Sequence, residues 1–504
     1  LAQVRAGSPG GDYQLRSRVR PGTVIDVLTT LEASSPLGLS PAIDVHDAGN
    51  AEAQRINRIA EPAFLELASR LASQSPPPTA GETASRAANA LAPVLRRYVE
   101  PTAGSLARTV TSRTLLGEAM HDVLPQGCAL PSVVPMAIRT QDGVPVDSKE
   151  VYVPATMQLG AAAPLALQIR GRGNTTWTMM PKKPYRLKLD KKAALLGATA
   201  YKDWSLLANY SDKTMMRNHL AGCLSSMLDM DYTPAQRYVE LTLNGDYAGL
   251  YQLADQIEAR SGRVEIGAQS SAADDPGMGF LLEQEQRPSD EVSFVSQGAQ
   301  AYIVQSDASA EQIPNISRFI DGMEGALFGT GFKDPAAGYL PWLDVDSLVD
   351  FYLINELYRN NDAFLSSTYA YRPRDGKLHY GPVWDFDIGA GNINYNGNEA
   401  TEGWWVRTRS AYVARLLQDE QFRWHLQARW RYLSSRMPEL LAHAKASAQA
   451  LDEAQARNFQ RWPILGVPVW PNAVWPATYA EEVQYLVNWL DSRARWMDGA
   501  MSQP

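Results

Sequence analysis

Cysteine is scarce: Cys128 and Cys223 are the only two in 504 residues, too few for a disulfide framework or a four-thiolate zinc site. They could close one bridge, although two buried free thiols are the expected outcome. An excess of positive charge is also missing, since 47 Lys plus Arg against 55 Asp plus Glu leaves a net charge of −8. Nucleic acid and anionic membrane surfaces are therefore not expected partners. No stretch reaches the roughly eighteen apolar residues of a spanning helix, and the chain opens without a basic and apolar leader pattern. A soluble chain is expected, and its start at Leu1 reads as processed or trimmed. There is no G-x-x-x-x-G-K-[ST] loop, no H-E-x-x-H pair and no G-x-S-x-G elbow. These absences argue against a P-loop enzyme, a zincin and an α/β-hydrolase.

What is present is 45% hydrophobic and 20% charged residues, enough for a large core. The length allows two or three domains at about 150 residues each. Residues 1–125 contain neither Trp nor Lys, whereas all 13 Trp lie from Trp177 onward. That shift marks a boundary. Residues 1–50, rich in Gly, Pro, Asp and Ser, read as an extended arm. Ile56, Ile59, Phe64, Leu67 and Leu71 predict a helix over 55–72, and Ala87, Leu91, Val94 and Leu95 a second over 84–98, with a kink at Pro93. Pro76, Pro77 and Pro78 separate them. No catalytic grouping is visible there, so an Ala-rich helical appendage is expected.

From about residue 130 the period becomes two. Strands are expected at 133–137, 151–155, 165–170, 184–190, 279–285 and 301–305. Residues 237–243 and 247–254 predict a hairpin around Asn244-Gly245-Asp246, since Asn-Gly favours the tight turn. Lys213 to Asp229 reads as a helix. After Leu340 the pattern is mostly helical, apart from a strand pair around Asp375-Gly376.

Two groupings carry chemistry. In the first, a helix ends near Asn360, Asp362 sits on the following loop, and the hairpin at Asp375-Gly376 returns the chain to Asp385 and Asp387. Carboxylates meeting at loop ends repel unless a divalent cation or a basic side chain neutralises them, and oxygen ligands suit Mg²⁺ or Mn²⁺. The second runs Arg170-Gly171-Arg172-Gly173 and then Lys182-Lys183-Pro184-Tyr185-Arg186-Leu187-Lys188. A glycine turn lets backbone N–H groups approach phosphates, and a basic strand neutralises them. The bland reading of the turn is a strand connection, and of Lys182 and Lys183 a solvated face. Arg217 and Asn218 stay open between salt bridging and a contact with the site. Trp384 reads as core packing, and His379 as a strand residue facing solvent.

The runs R-G-R-G-N-T-T-W, K-K-P-Y-R-L-K-L, D-W-S-L-L-A-N-Y-S-D-K-T-M-M-R-N, N-N-D-A-F-L-S-S-T-Y and G-P-V-W-D-F-D together resemble the CotH family, atypical protein kinases named after spore coat protein H. The resemblance covers roughly residues 130–500 and leaves 1–125 outside. It implies an α+β, divergent protein-kinase-like bilobal fold: an N-lobe antiparallel sheet plus helix over 126–310, a mostly helical C-lobe over 311–504, and the N-terminal appendage. It implies ATP and Mg²⁺ or Mn²⁺ as cofactors and the Ser/Thr hydroxyls of a protein substrate as acceptors. By position, Asp362 matches the catalytic-loop aspartate and Asp385 the metal-binding aspartate, with Asp387 a second metal ligand. Gly171, Arg172, Gly173, Arg186 and Lys188 would face the nucleotide. Kinases carry an Asn five residues beyond the catalytic Asp; here that place is Ser367, a poorer metal ligand. The resemblance and the Arg-over-Lys bias of the first part point to a bacterial source. A pseudokinase scaffold and a transferase moving the nucleotide or another group are the competing readings.

Overall fold

The computed structural model describes residues 51–74, 78–100, 104–123, 128–286 and 292–502, with 2–8, 11–17 and scattered positions between 27 and 50. Most of the arm expected over 1–50, and Pro76 and Pro77, lie outside the described residues. At the start, β1 (Ala2–Ser8) and β2 (Gly11–Ser17) pair antiparallel.

Three helices follow: α1 (Ala51–Ala72), α2 (Ala80–Arg97) and α3 (Ser112–Val123). Each of the first two starts where a side chain satisfies orphan N–H groups. Asn50 accepts from the Ala53 N–H, and Thr79 and Glu82 form a reciprocal capping box. Helix α2 continues through Pro93. Phe64, Leu67, Leu91, Leu95 and Leu115 are wholly buried in a core of their own. This unit is docked: Glu118 of α3 accepts from Arg429 at 2.9 Å, and Arg429 also reaches Asp350 at 2.6 Å, all three being buried. Glu118 is thereby paired on burial, which an isolated carboxylate could not tolerate.

The next segment closes on itself. Strands β3 (Val133–Thr140), β4 (Val153–Leu159) and β5 (Leu165–Gly171) lead through a short helix, α4 (Thr175–Met179), to β6 (Tyr185–Ala193) and β7 (Tyr201–Leu207). Then come α5 (Arg217–Met227), β8 (Gln236–Leu243) and β9 (Asp246–Asp255). The strands form a seven-stranded closed barrel, ordered β3-β4-β5-β6-β7-β9-β8, closed by parallel pairing of β3 with β8. The expected antiparallel sheet is corrected in one respect: the β3–β8 pair is parallel, and the closure it makes removes both edges. Alternate residues fill the interior, among them Ile138, Ile169, Leu187, Leu206, Val239 and Leu253. A barrel packed in this way leaves its chemistry to its rim. The β8–β9 turn is as expected, with Asn244 at φ 53° and Gly245 at φ 92°.

A second sheet has the order β11-β12-β10-β13-β14, formed by β10 (Phe280–Gln284), β11 (Ser293–Val295), β12 (Ala301–Val304), β13 (Thr368–Arg372) and β14 (His379–Tyr380). Strand β10 pairs with β13 antiparallel, Glu283 opposite Tyr369, so segments on both sides of residue 310 share one sheet. Around it pack α6 (Ile313–Phe328), α7 (Val345–Tyr358), α8 (Ala411–Leu416), α9 (Glu420–Ala450), α10 (Asp452–Arg461) and α11 (Tyr479–Met501). Helix α7 is buried along its whole length, which is why its sequence lacks a polar stripe. Among the described residues no helix is long and apolar enough to cross a membrane.

Three local expectations are corrected. Cys128 and Cys223 are joined in a disulfide, because the segment before β3 runs against α5 and brings their Cα atoms to 5.3 Å. Lys182 is buried rather than solvated: its ammonium donates to the Leu250 carbonyl at 2.5 Å and to Asn458 Oδ1 at 2.9 Å. His379 is not simply turned to solvent, since Nδ1 lies 2.8 Å from Asp231 Oδ2.

Candidate active site

The site forms where three chain segments meet. Helix α7 ends at Tyr358 with Arg359 in the left-handed region, φ 46°, which turns the chain out of the helix and onto the loop bearing Asp362. Phe364 (φ 59°) and Ser367 (φ 49°) twist that loop into β13. The β13–β14 hairpin brings the chain back to Asp385, itself at φ 65°. Left-handed conformations at residues other than glycine cost stability, and they cluster at functional sites.

These turns bring Asp362, Ser367, Asp385 and Asp387 together. The Ser367 hydroxyl donates to Asp385 Oδ2 at 3.2 Å. Asn361 Nδ2 donates to Asp362 Oδ1 at 3.2 Å, and Asn396 holds Asn361 in turn at 2.8 Å. Burial first, then the Asp385 charge, pushes the Asp362 carboxyl up to about 6. Asp387 is more deeply buried and is raised well above the ordinary carboxylate value, by burial and then by Asp385, Asp212 and Asp362. The neighbours that raise Asp387 are themselves carboxyl groups, so ionising it sets negative charge beside negative charge. A set of hard oxygen donors in that condition fits Mg²⁺ or Mn²⁺, with Asp385 and Asp387 as the residues that would hold it.

Helix α5 supports this loop from beneath. Asn218 Oδ1 accepts from the Phe386 N–H at 2.8 Å, between the two carboxylates. Arg217, wholly buried, pairs with Asp212 at 2.6 Å and donates to the Gly389 and Ala390 carbonyls at 3.1 and 3.3 Å. Asn392 Nδ2 donates to the Asp387 carbonyl at 2.7 Å and to the Ser211 carbonyl at 3.2 Å. The question left open for Arg217 and Asn218 is thus answered: both brace the acidic loop.

The glycine turn reaches the site through one side chain. Arg172 lies with its guanidinium carbon 5.7 Å from the Trp384 ring centroid. Burial lowers its pKa, and Asp385 is the largest cause opposing that. Gly171 and Gly173 have local reasons to be glycine. A Cβ at Gly171 would lie 2.4 Å from the Trp177 ring, and Gly173 sits at φ 82° with Thr176 Oγ1 only 2.3 Å from where its Cβ would be. On β6, Arg186 is engaged by Asp203 at 3.2 Å and Glu258 at 3.7 Å. Lys188 projects from the outer face of the barrel and is exposed, and the structure does not bring it to the carboxylates. Two residues were overlooked in the sequence. Glu283 faces Tyr369 across the sheet, and Glu285 accepts from Ser366 at 3.0 Å. Glu283 lies on β10 and Glu285 one residue past its end, and their spacing of two in a run that alternates was the available signal.

The chain belongs to the CotH kinase protein family, whose pattern matches residues 169–497. The match begins inside β5 and takes in the glycine turn, the basic strand and the whole acidic site. No curated protein matches the chain.

Proposed function

We propose that this protein is an ATP- and divalent-metal-dependent phosphotransferase acting on protein hydroxyls, built as a divergent bilobal kinase in which the barrel and α5 correspond to the N-lobe. The observation that carries the reading is the opposition of Asp362 to Asp385 and Asp387 across two loops closed by Ser367. Asp362 takes the proton of the acceptor hydroxyl, and a carboxyl near 6 is suited to that at neutral pH. Arg172 meets phosphate charge from the glycine-turn side, where positioning and charge supply most of the catalysis. Asn218 and Arg217 hold the acidic loop so that neither carboxylate needs to move. A bound divalent ion would supply charge neutralisation across the phosphates. Ser367 favours one second reading, a pseudokinase, because its hydroxyl stands where kinases carry an amide.

Parallel incubations of the protein with ATP labelled at the γ- or the α-phosphate, with Mg²⁺ or Mn²⁺ and a range of protein acceptors, test this. Transfer of γ-label alone is the expected result. Transfer of α-label would make the protein a nucleotidyl transferase, and transfer of neither would support the scaffold.

A further inference from the structure

Away from the acidic site, four side chains from three separate segments converge. Cys128 precedes β3, His219 and Cys223 sit one turn apart on α5, and His443 is on α9. The i and i+4 spacing puts His219 and Cys223 on one helix face. Their ligand atoms and those of Cys128 and His443 all lie within 4.8 Å of one another. His219 Nε2 is 3.0 Å from His443 Nε2, 3.9 Å from Cys128 Sγ and 3.8 Å from Cys223 Sγ. A tetrahedral ion with the usual Zn–S and Zn–N bond lengths has edges of about 3.3 Å between nitrogens and about 3.6 Å between nitrogen and sulfur. The separations from His219 to His443 and to both sulfurs are close to these values. The sulfurs, now bonded to each other, would have to part.

We propose that Cys128, His219, Cys223 and His443 form a Cys₂His₂ zinc site that becomes available when the Cys128–Cys223 bond is reduced. A dithiol supplies two electrons and two protons, breaks the S–S bond to leave two thiols, and is itself oxidised to a disulfide. Zinc then displaces both thiol protons to solvent and forms two Zn–S bonds, while each imidazole binds through its Nε2 lone pair in the tautomer protonated on Nδ1, the ring that carried the proton of the Nε2–Nε2 contact changing tautomer. Two thiolates and two imidazoles in a tetrahedron select zinc over the oxygen-loving ions of the acidic site. With four protein ligands and no open position the site is structural. Either state, disulfide or zinc, ties the segment before the barrel to α5, and the zinc state adds α9.

The full-length chain is reduced with dithiothreitol, freed of it without oxygen, checked for two thiols, and equilibrated with zinc or cobalt before gel filtration. One zinc per reduced chain, none retained by the oxidised chain, and a cobalt form with thiolate-to-cobalt charge transfer and intense visible bands are expected. His443→Ala should lose the equimolar metal while keeping its far-ultraviolet dichroism. Should that variant not fold, the cobalt spectrum of the unsubstituted chain decides alone. A reduced chain that retains no metal, or cobalt bound without the thiolate band, overturns the site, and equimolar zinc on folded His443→Ala overturns the ligand set.

Discussion

Asn218 on α5 accepts the Phe386 N–H at 2.8 Å, joining a barrel-side helix to the loop between two carboxylates 168 residues away. Phe386 is buried, so its N–H has no water to turn to. Replacing Asn218 by Ala leaves that donor unsatisfied, at a cost of about 1–3 kcal/mol. The loss should fall on loop position, so metal-dependent nucleotide affinity should drop while far-ultraviolet dichroism is kept. Calorimetric titration with Mg·ATP measures it, and undiminished affinity would show that the loop holds itself.

Asp385→Asn should abolish metal-dependent nucleotide binding, since the amide keeps the volume and the Ser367 contact but removes the charge that offsets a divalent ion. Asp362→Asn should behave differently. Its proposed partner is the acceptor hydroxyl, so turnover should fall by roughly 10²-fold or more with little change in nucleotide affinity. Measuring both constants on both variants separates the roles, and equal losses in affinity would remove the distinction.

The raised carboxyls also make a stability prediction for the metal-free chain. Asp362 is ordinarily near 3.8 and is pushed up to about 6, so between those values the folded state binds more protons than the unfolded one. Stability is then greatest below the ordinary value and declines as pH rises toward 6, the reverse of a salt-bridged carboxylate. Asp387 acts in the same direction. Asp387→Asn should therefore unfold at a higher temperature than the parent in chelator at pH 8, with the difference shrinking toward pH 4. For the half-buried Asp362 the same substitution should stabilise by about 1–2 kcal/mol once solvent screening is allowed for. Thermal unfolding across pH checks this, and a variant less stable than its parent at pH 8 would contradict it.

How much of this was legible depended on the range of the signal. Period-two runs and Asn244-Gly245 located six of the seven barrel strands because alternation and turn chemistry are local, whereas β7 was not expected, its burial running on through Trp204, Ser205 and Leu206 instead of alternating. Closure of β3 on β8 was not legible, since parallel pairing between strands about 100 residues apart leaves no local mark. Asp362, Asp385 and Ser367 were nameable because loop residues carry chemistry that packing does not require. Lys182 was misjudged for the converse reason. Its partner Asn458 lies 276 residues away, and a lysine reads as solvated until its partner is seen. The pairing of Cys128 with Cys223 was lost in the same manner, across 95 residues.

Ser367 decides between an active enzyme and a scaffold. It sits at φ 49°, a conformation Asn adopts more readily than Ser, so Ser367→Asn should fold at least as well as the parent. The serine hydroxyl now donates to Asp385 Oδ2 at 3.2 Å, occupying an oxygen that a metal would use. An amide there can still donate through its nitrogen while offering its carbonyl oxygen as a ligand. If the enzyme turns over but holds its second ion weakly, Ser367→Asn should raise γ-phosphate transfer at limiting Mg²⁺, with a smaller effect at saturation. Transfer assays across a Mg²⁺ series on parent and variant measure this. Elimination of activity in a folded variant would mean that the hydroxyl itself is needed, through its hold on Asp385. Inertness of both proteins across Mg²⁺, Mn²⁺ and all acceptors would favour the scaffold, and replacing Asp362 or Asp385 should then leave partner binding unchanged.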